Sequence, residues 1–200
     1  YDPELIEEIL KLENSIDKHT IETRQYLTQV LRHPLSRQEF NRCLSLINTV
    51  NELEIIGDII EKNILYLVES KKINNSEFSD EGKRELEYLY KKLYEMANVT
   101  NNVIMTSDQN MIDTAKSLYD EIVDLEFRSR IAHIQRLSKG ISESENTSTI
   151  HLDLINAYLK ICQHLDNIVN IISNPEILDV THIHEFRSGN DIYGIGLPDK

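Results

Sequence analysis

From Pro3 to about His33, apolar residues return at Ile6, Ile9, Leu12, Ile16, Leu27 and Val30, with Thr23 in phase. Spacings of three and four put them on one face of a long helix that must bury that face against a neighbour. His33-Pro34 ends the helix, because the residue before a proline is driven out of the α region. Ser36 with Glu39 three residues later is a capping-box signature, and it opens a second helix that runs to about Lys72 along Val50, Leu53, Gly57, Ile60, Ile64 and Leu67. The two form an antiparallel hairpin. Residues 73–79 are polar enough for a loop, and Ser79 caps a third helix through Leu86, Leu89, Leu93, Met96 and Val103. A fourth starts after Asp108, carries Ile112, Ala115, Leu118, Ile122 and Leu125, and stops near Gly140. Residues 141–147 are a polar loop in this reading. A fifth helix then runs from about Ser148 through Leu152, Ile155, Leu159, Cys162, Leu165, Val169 and Ile172 to the stop at Asn174-Pro175.

The pattern predicts an all-α protein of antiparallel bundles in three parts. Residues 1–73 form a two-helix first bundle, 74–175 a three-helix second bundle, and 176–200 a tail whose last stretch holds three Gly and one Pro. A hairpin without a third helix leaves Val50, Leu53, Ile60 and Ile64 over an open apolar groove, which predicts a homo-oligomer.

Composition narrows the function. The 200 residues carry 34 Asp plus Glu against 21 Lys plus Arg, a formal net charge of −13 that repels phosphodiester backbones and anionic lipid. Nucleic acid is excluded as a partner on that ground. The longest apolar run, Ile64 to Val68, is far short of the ~20 residues that span a bilayer, so these residues do not insert into a membrane by themselves. Cys43 and Cys162 are far apart with no metal or redox spacing, which fits a reducing cytosol.

Chemistry concentrates in the second helix. Ile47, Asn51, Glu54, Asp58, Glu61, Leu65 and Val68 share one stripe, apolar at its ends and acidic in its middle. Glu13 and Asp17 on the first helix are again four apart, so two acid pairs, Glu13/Asp17 and Glu54/Asp58, face each other across the hairpin. Carboxylate pairs on antiparallel helices can build a metal centre for magnesium, manganese, iron or zinc. The alternative is a solvated acidic face with no metal. His133 on the fourth helix and His151 and His164 on the fifth meet across the second bundle in this reading, near Asp153 or Asp166, as a zinc set or as hydrogen-bonded interface histidines. No phosphate-binding Gly loop, nucleophile elbow or Cys-His pair at motif spacing is present, so the chain is not read as an enzyme.

The run Asn51 to Leu65, NELEIIGDIIEKNIL, resembles the signature helix of PhoU-like proteins through its E-x-x-G-D spacing. Further elements resemble the version attached to bacterial sodium/phosphate cotransporters. They are Phe78-Ser79 with Glu81-Gly82; Ser107-Asp108 with Ala115-Lys116; Glu126, Arg130, His133, Arg136-Leu137 and Gly140; and Thr147-Ser148 leading to His151-Leu152-Asp153-Leu154. The resemblance implies two three-helix bundles in pseudo-repeat, with metal-binding carboxylates in some members and a regulatory role in phosphate transport. Two departures stand out: the first helix of the first bundle is missing, and in the second bundle Tyr119, Val123, Cys162 and Asp166 replace the acid pairs. The resemblance thus implies a cytosolic regulatory domain at the inner face of the cell membrane, in one chain with a phosphate transporter membrane domain or docked on a separate one. The competing readings are a metal-dependent bundle enzyme or metal store, and a metal-free helical adaptor.

Overall fold

The computed structural model describes residues 2–174, and every regular element among them is helical. Helix α1 (Pro3–Val30) opens on Asp2, whose side chain accepts from the Glu4 amide at 3.0 Å, with Pro3 at the first helical position, where its missing N–H costs nothing. Helix α2 (Arg37–Asp58) has the predicted capping box: Ser36 Oγ accepts from the Glu39 amide, and the Glu39 carboxylate accepts from the Ser36 amide at 2.8 Å. Helices α4 (Asp80–Thr106) and α5 (Gln109–Ser138) are capped by Ser79 and Asp108. Between them Ser107 turns the chain at φ 51°, and Gly140 takes φ 66° after α5. Helix α7 (Ser148–Ser173) completes the set.

Two predicted features differ. The second helix is one rod, but not one α-helix: α2 passes into a π-helical segment (Ile59–Leu65) and then into α3 (Tyr66–Ile73). A π turn closes its hydrogen bonds on the fifth residue instead of the fourth, so it shifts the phase of everything beyond it. That shift buries Ile59 and Leu65 beside Leu67, where an unbroken α stripe through Ile60, Ile64 and Leu67 had been expected. The loop predicted at 141–147 contains a short helix, α6 (Ser142–Asn146), because Ser144 and Thr147 are both buried against the end of the bundle. The predicted tail, 176–200, lies outside the described residues.

Helices α4, α5 and α7 enclose the main core, which includes Leu89, Met96, Ile122, Ile155 and Cys162. Ile59 and Leu67 belong to the same core, and Ile56, Ile60 and Ile64 pack on it, so the α2–π–α3 rod lies on the outer face of α7. Ile60 and Ile64 are therefore not part of an open groove, as the sequence had suggested. Leu53 is 41% exposed, and on α1 Leu5, Leu12 and Ile16 are 52, 59 and 38% exposed. Helix α1 packs on α2 and the π segment, outermost in a row of α1, rod, α7 and the α4–α5 pair.

Two glycines permit close approaches of different severity. A methyl on Gly57 would meet the Ile16 side chain at 3.7 Å, an ordinary contact. On Gly82 it would meet Ser79 Oγ at 3.2 Å and His151 Nε2 at 3.3 Å, which is crowded. Gly57→Ala is thus expected to leave the melting temperature unchanged or raise it, by at most the ~1 kcal/mol of helix propensity it gains. Gly82→Ala is expected to lower stability by about 1–3 kcal/mol through overpacking. Thermal unfolding of the two variants side by side checks the contrast.

Candidate functional site

The acidic stripe meets α1 just past Gly57, where the α2 segment passes into the π segment. Carboxylate oxygens of Glu13, Asp58 and Glu61 all lie within 4.8 Å of one another. Glu13 is only 7% exposed, and the other two are half-buried. Three negative charges gathered at a partly dry site repel one another. Accordingly the Glu13 carboxyl is held above its usual range, first by burial and then by the charges of Asp17, Glu61 and Asp58, against a smaller opposing effect of Lys62. Lys62 Nζ donates to Asp58 Oδ1 at 2.5 Å, and this hydrogen bond raises the lysine in turn.

Of the four predicted ligands, Glu13 and Asp58 meet. Asp17 lies at the edge, exposed, near enough to act on Glu13 through its charge. Glu54 turns to Arg24, 4.0 Å away, whose Nε also donates to Asn51 Oδ1 at 2.7 Å. The third member of the trio, Glu61, was on the predicted stripe but not among the predicted ligands. Its spacing of three from Asp58 was visible; the π segment that carries it was not. The donor set is all carboxylate oxygen, supplied from two facing helices with one member buried. That arrangement fits a hard divalent cation.

The α4–α5–α7 bundle holds a buried polar cluster of its own. His133 and His151, each 1% exposed, stack with ring centroids 4.6 Å apart at 16°. Ser148 Oγ is 3.0 Å from His133 Nε2. Arg136 donates to both oxygens of Glu85, at 2.6 and 2.7 Å, with the arginine 7% exposed. His151 Nε2 lies 3.5 Å from the same carboxylate, and Ser144 Oγ donates to Ser79 Oγ at 3.3 Å. Nearby, Arg130 bonds Glu126 and Asn156. The cotransporter-like residues at 79, 82, 126, 130, 133, 136, 148 and 151, scattered along the sequence, thus gather at one end of the α4–α5–α7 bundle. Glu85, the counter-charge of the cluster, carried no sequence signal. His164 does not join the other histidines: its Nδ1 meets Glu52 Oε2 at 2.7 Å and ties α7 to α2. Cys162 is buried with its Sγ 3.5 Å from Met96 Sδ, and burial pushes its thiol up to about 12, so it is a packing residue.

Burial, then the neighbouring His133 and Arg136 charges, brings His151 down to about 4, and burial followed by Arg136 lowers His133. Both imidazoles bind a proton more readily in the unfolded chain, so the stability they give is complete above about pH 6.5 and is lost as the pH falls towards 4. The described groups facing them with charge are Arg136 and Glu85. Urea midpoints should therefore drop steadily between pH 6.5 and 4, and a His151→Phe variant should show a shallower drop. Glu85→Gln strips the buried guanidinium of its counter-charge and is expected to cost about 3 kcal/mol in the same measurement.

Comparison with known proteins places the carboxylate trio in context. The PhoU domain family matches residues 1–66, which contain all three carboxylates. The chain is 25% identical over 154 residues to the "Putative inorganic phosphate export protein YjbB" of Escherichia coli O157:H7, across 77% of this chain and 28% of that protein. To the protein of the same name in Salmonella typhimurium it is 26% identical over 145 residues, across 72% and 27%. The chain thus spans little more than a quarter of the length of these relatives. No solved structure matches it. The fold is all-helical and the E-x-x-G-D helix lies at the α1 contact, so the match of residues 1–66 to the PhoU domain family falls on the hairpin that holds the trio.

Proposed function

We propose that this chain is a non-enzymatic regulatory domain of a phosphate-transport protein, acting by protein contact and by a divalent cation held between α1 and the α2–π–α3 rod. The observation that carries the reading is the coincidence of the PhoU match, residues 1–66, with the Glu13–Asp58–Glu61 trio. Relatives named for inorganic phosphate export supply the transported ion. In this reading the regulated partner is the membrane portion of a transporter, and the domain works at the inner face of the cell membrane, in one chain with that portion or docked on it. The cotransporter-like residues of the buried cluster favour a sodium-coupled carrier.

Magnesium, manganese or ferrous iron suits the all-oxygen donor set better than zinc, which prefers nitrogen and sulfur. When bound, such an ion would neutralise the trio. Glu13 would hold it from α1, and Asp58 and Glu61 from the rod, with Lys62 displaced from Asp58. Glu54, engaged with Arg24, stays outside.

Titration of Mn²⁺ into the purified chain is expected to give saturable binding that Asp58→Asn weakens by roughly tenfold or more, given that even outer-shell partners are worth 10–100-fold. Glu54→Gln should leave it unchanged. Equal losses in the two variants would refute the ligand set, and the absence of saturable binding to the wild type would remove the cation from the function. The regulatory part is tested in cells: with the full-length gene carrying Asp58→Asn, phosphate flux should lose its response to external phosphate at unchanged protein level.

A further inference from the structure

A half-enclosed cavity of about 600 Å³ lies between the first turns of α2, the α4–α5 turn and the end of α7, well away from the carboxylate trio. One wall is polar and belongs to α2: Arg37, Gln38, Asn41, Arg42 and Ser45, at spacings that set them on one side of the helix. Leu46 completes the α2 side, and the facing walls are mostly apolar, with Ile104 from α4, Ile171 and Ile172 from α7 and Ser107 from the α4–α5 turn.

Two features of the polar wall call for a ligand. Ser45 is 5% exposed, and its Oγ has no hydrogen-bond partner among the described residues. Asn41, one helical turn before it, is 7% exposed and lines the same cavity. A buried polar group left unpaired costs about 1–3 kcal/mol, so the cavity wall carries a standing deficit that a bound polar group would remove. Charge fixes the sign of that group. Between residues 31 and 51 the chain carries Arg32, Arg37 and Arg42 and a single acid, Glu39, in a protein whose formal net charge is −13. The positive end of the α2 dipole points the same way.

From this we infer a binding site for a phosphomonoester with an apolar body. The phosphoryl oxygens would accept from the guanidinium group of Arg42, the amide of Asn41 and the hydroxyl of Ser45. The body would lie on Ile104, Ile171 and Ile172. An arginine fork with neutral donors beside it matches a tetrahedral oxyanion that has several acceptor oxygens. Inorganic phosphate shares the head chemistry and lacks the body, so it distinguishes the two sources of that oxyanion. The choice of phosphate among oxyanions rests on the phosphate-transport reading; the cavity, its unpaired hydroxyl and its arginines do not.

The test is calorimetric titration of the whole 200-residue chain with phenyl phosphate and, separately, inorganic phosphate and sulfate. The expected result is saturable phenyl phosphate binding in the micromolar to low millimolar range, tighter than inorganic phosphate. Arg42→Gln, an exposed position, should weaken it about tenfold. Asn41→Leu, with its fold checked by circular dichroism and thermal melting, should weaken it similarly. No saturable heat with phenyl phosphate in the millimolar range overturns the inference, as does binding that both variants leave unchanged. Inorganic phosphate binding as tightly as phenyl phosphate would eliminate the apolar body. Sulfate binding as tightly as inorganic phosphate would overturn the choice of phosphate while leaving an oxyanion site. The Mn²⁺ titration uses other residues, so either reading can fail alone.

Discussion

The architecture depends on α7 being buried on two sides at once. Ile155, Ile161, Cys162 and Leu165 join α4 and α5 in the main core, while the same helix receives Ile59 and Leu67 from the rod. A helix with a single apolar stripe would leave either the three-helix bundle or the rod unsupported, and neither could bury its apolar face alone. Polar contacts set the alignment of the two layers: His164 and Asn167 of α7 both reach the Glu52 carboxylate of α2, at 2.7 and 3.0 Å. Apolar burial is not directional, and hydrogen bonds of this kind choose one register along the sliding direction of two helices.

Most of this could be read in the sequence. The capping box at Ser36, the caps at Ser79 and Asp108 and the left-handed Gly140 lie where the side-chain chemistry requires, because each is a local interaction that the chain satisfies without tertiary help. The features that were not legible are non-local. The π segment comes from fitting one rod between α1 and α7, and nothing in the composition of residues 59–65 announces it. Glu54 was expected to face Glu13, yet Arg24 claims it, a pairing that depends on the relative rotation of two helices. Likewise Asn41, Ser45 and Thr49 form a polar row on a buried face, where the periodicity of apolar residues has nothing to report.

The two groups of ionisable residues are built on opposite principles. At the α1 contact like charges converge, with Lys62 opposing the rise at Glu13. Within the α4–α5–α7 bundle Glu85 is matched to Arg136, and two imidazoles are kept neutral beside the pair, so the charge is balanced internally.

The outermost position of α1 has a consequence for the order in which the molecule comes apart. Its buried residues, Glu13, Thr20 and Leu27, include only one large apolar side chain, and it leans on the rod without entering the core around α7. Such an element can detach as a separate cooperative unit while the other helices keep their packing. A ligand gripping Glu13 and the rod together would then act as a clasp across the contact between α1 and the rest of the fold. Its occupancy would be converted into a change of exposed helical surface, a signal that a neighbouring protein can read without any change in the main core.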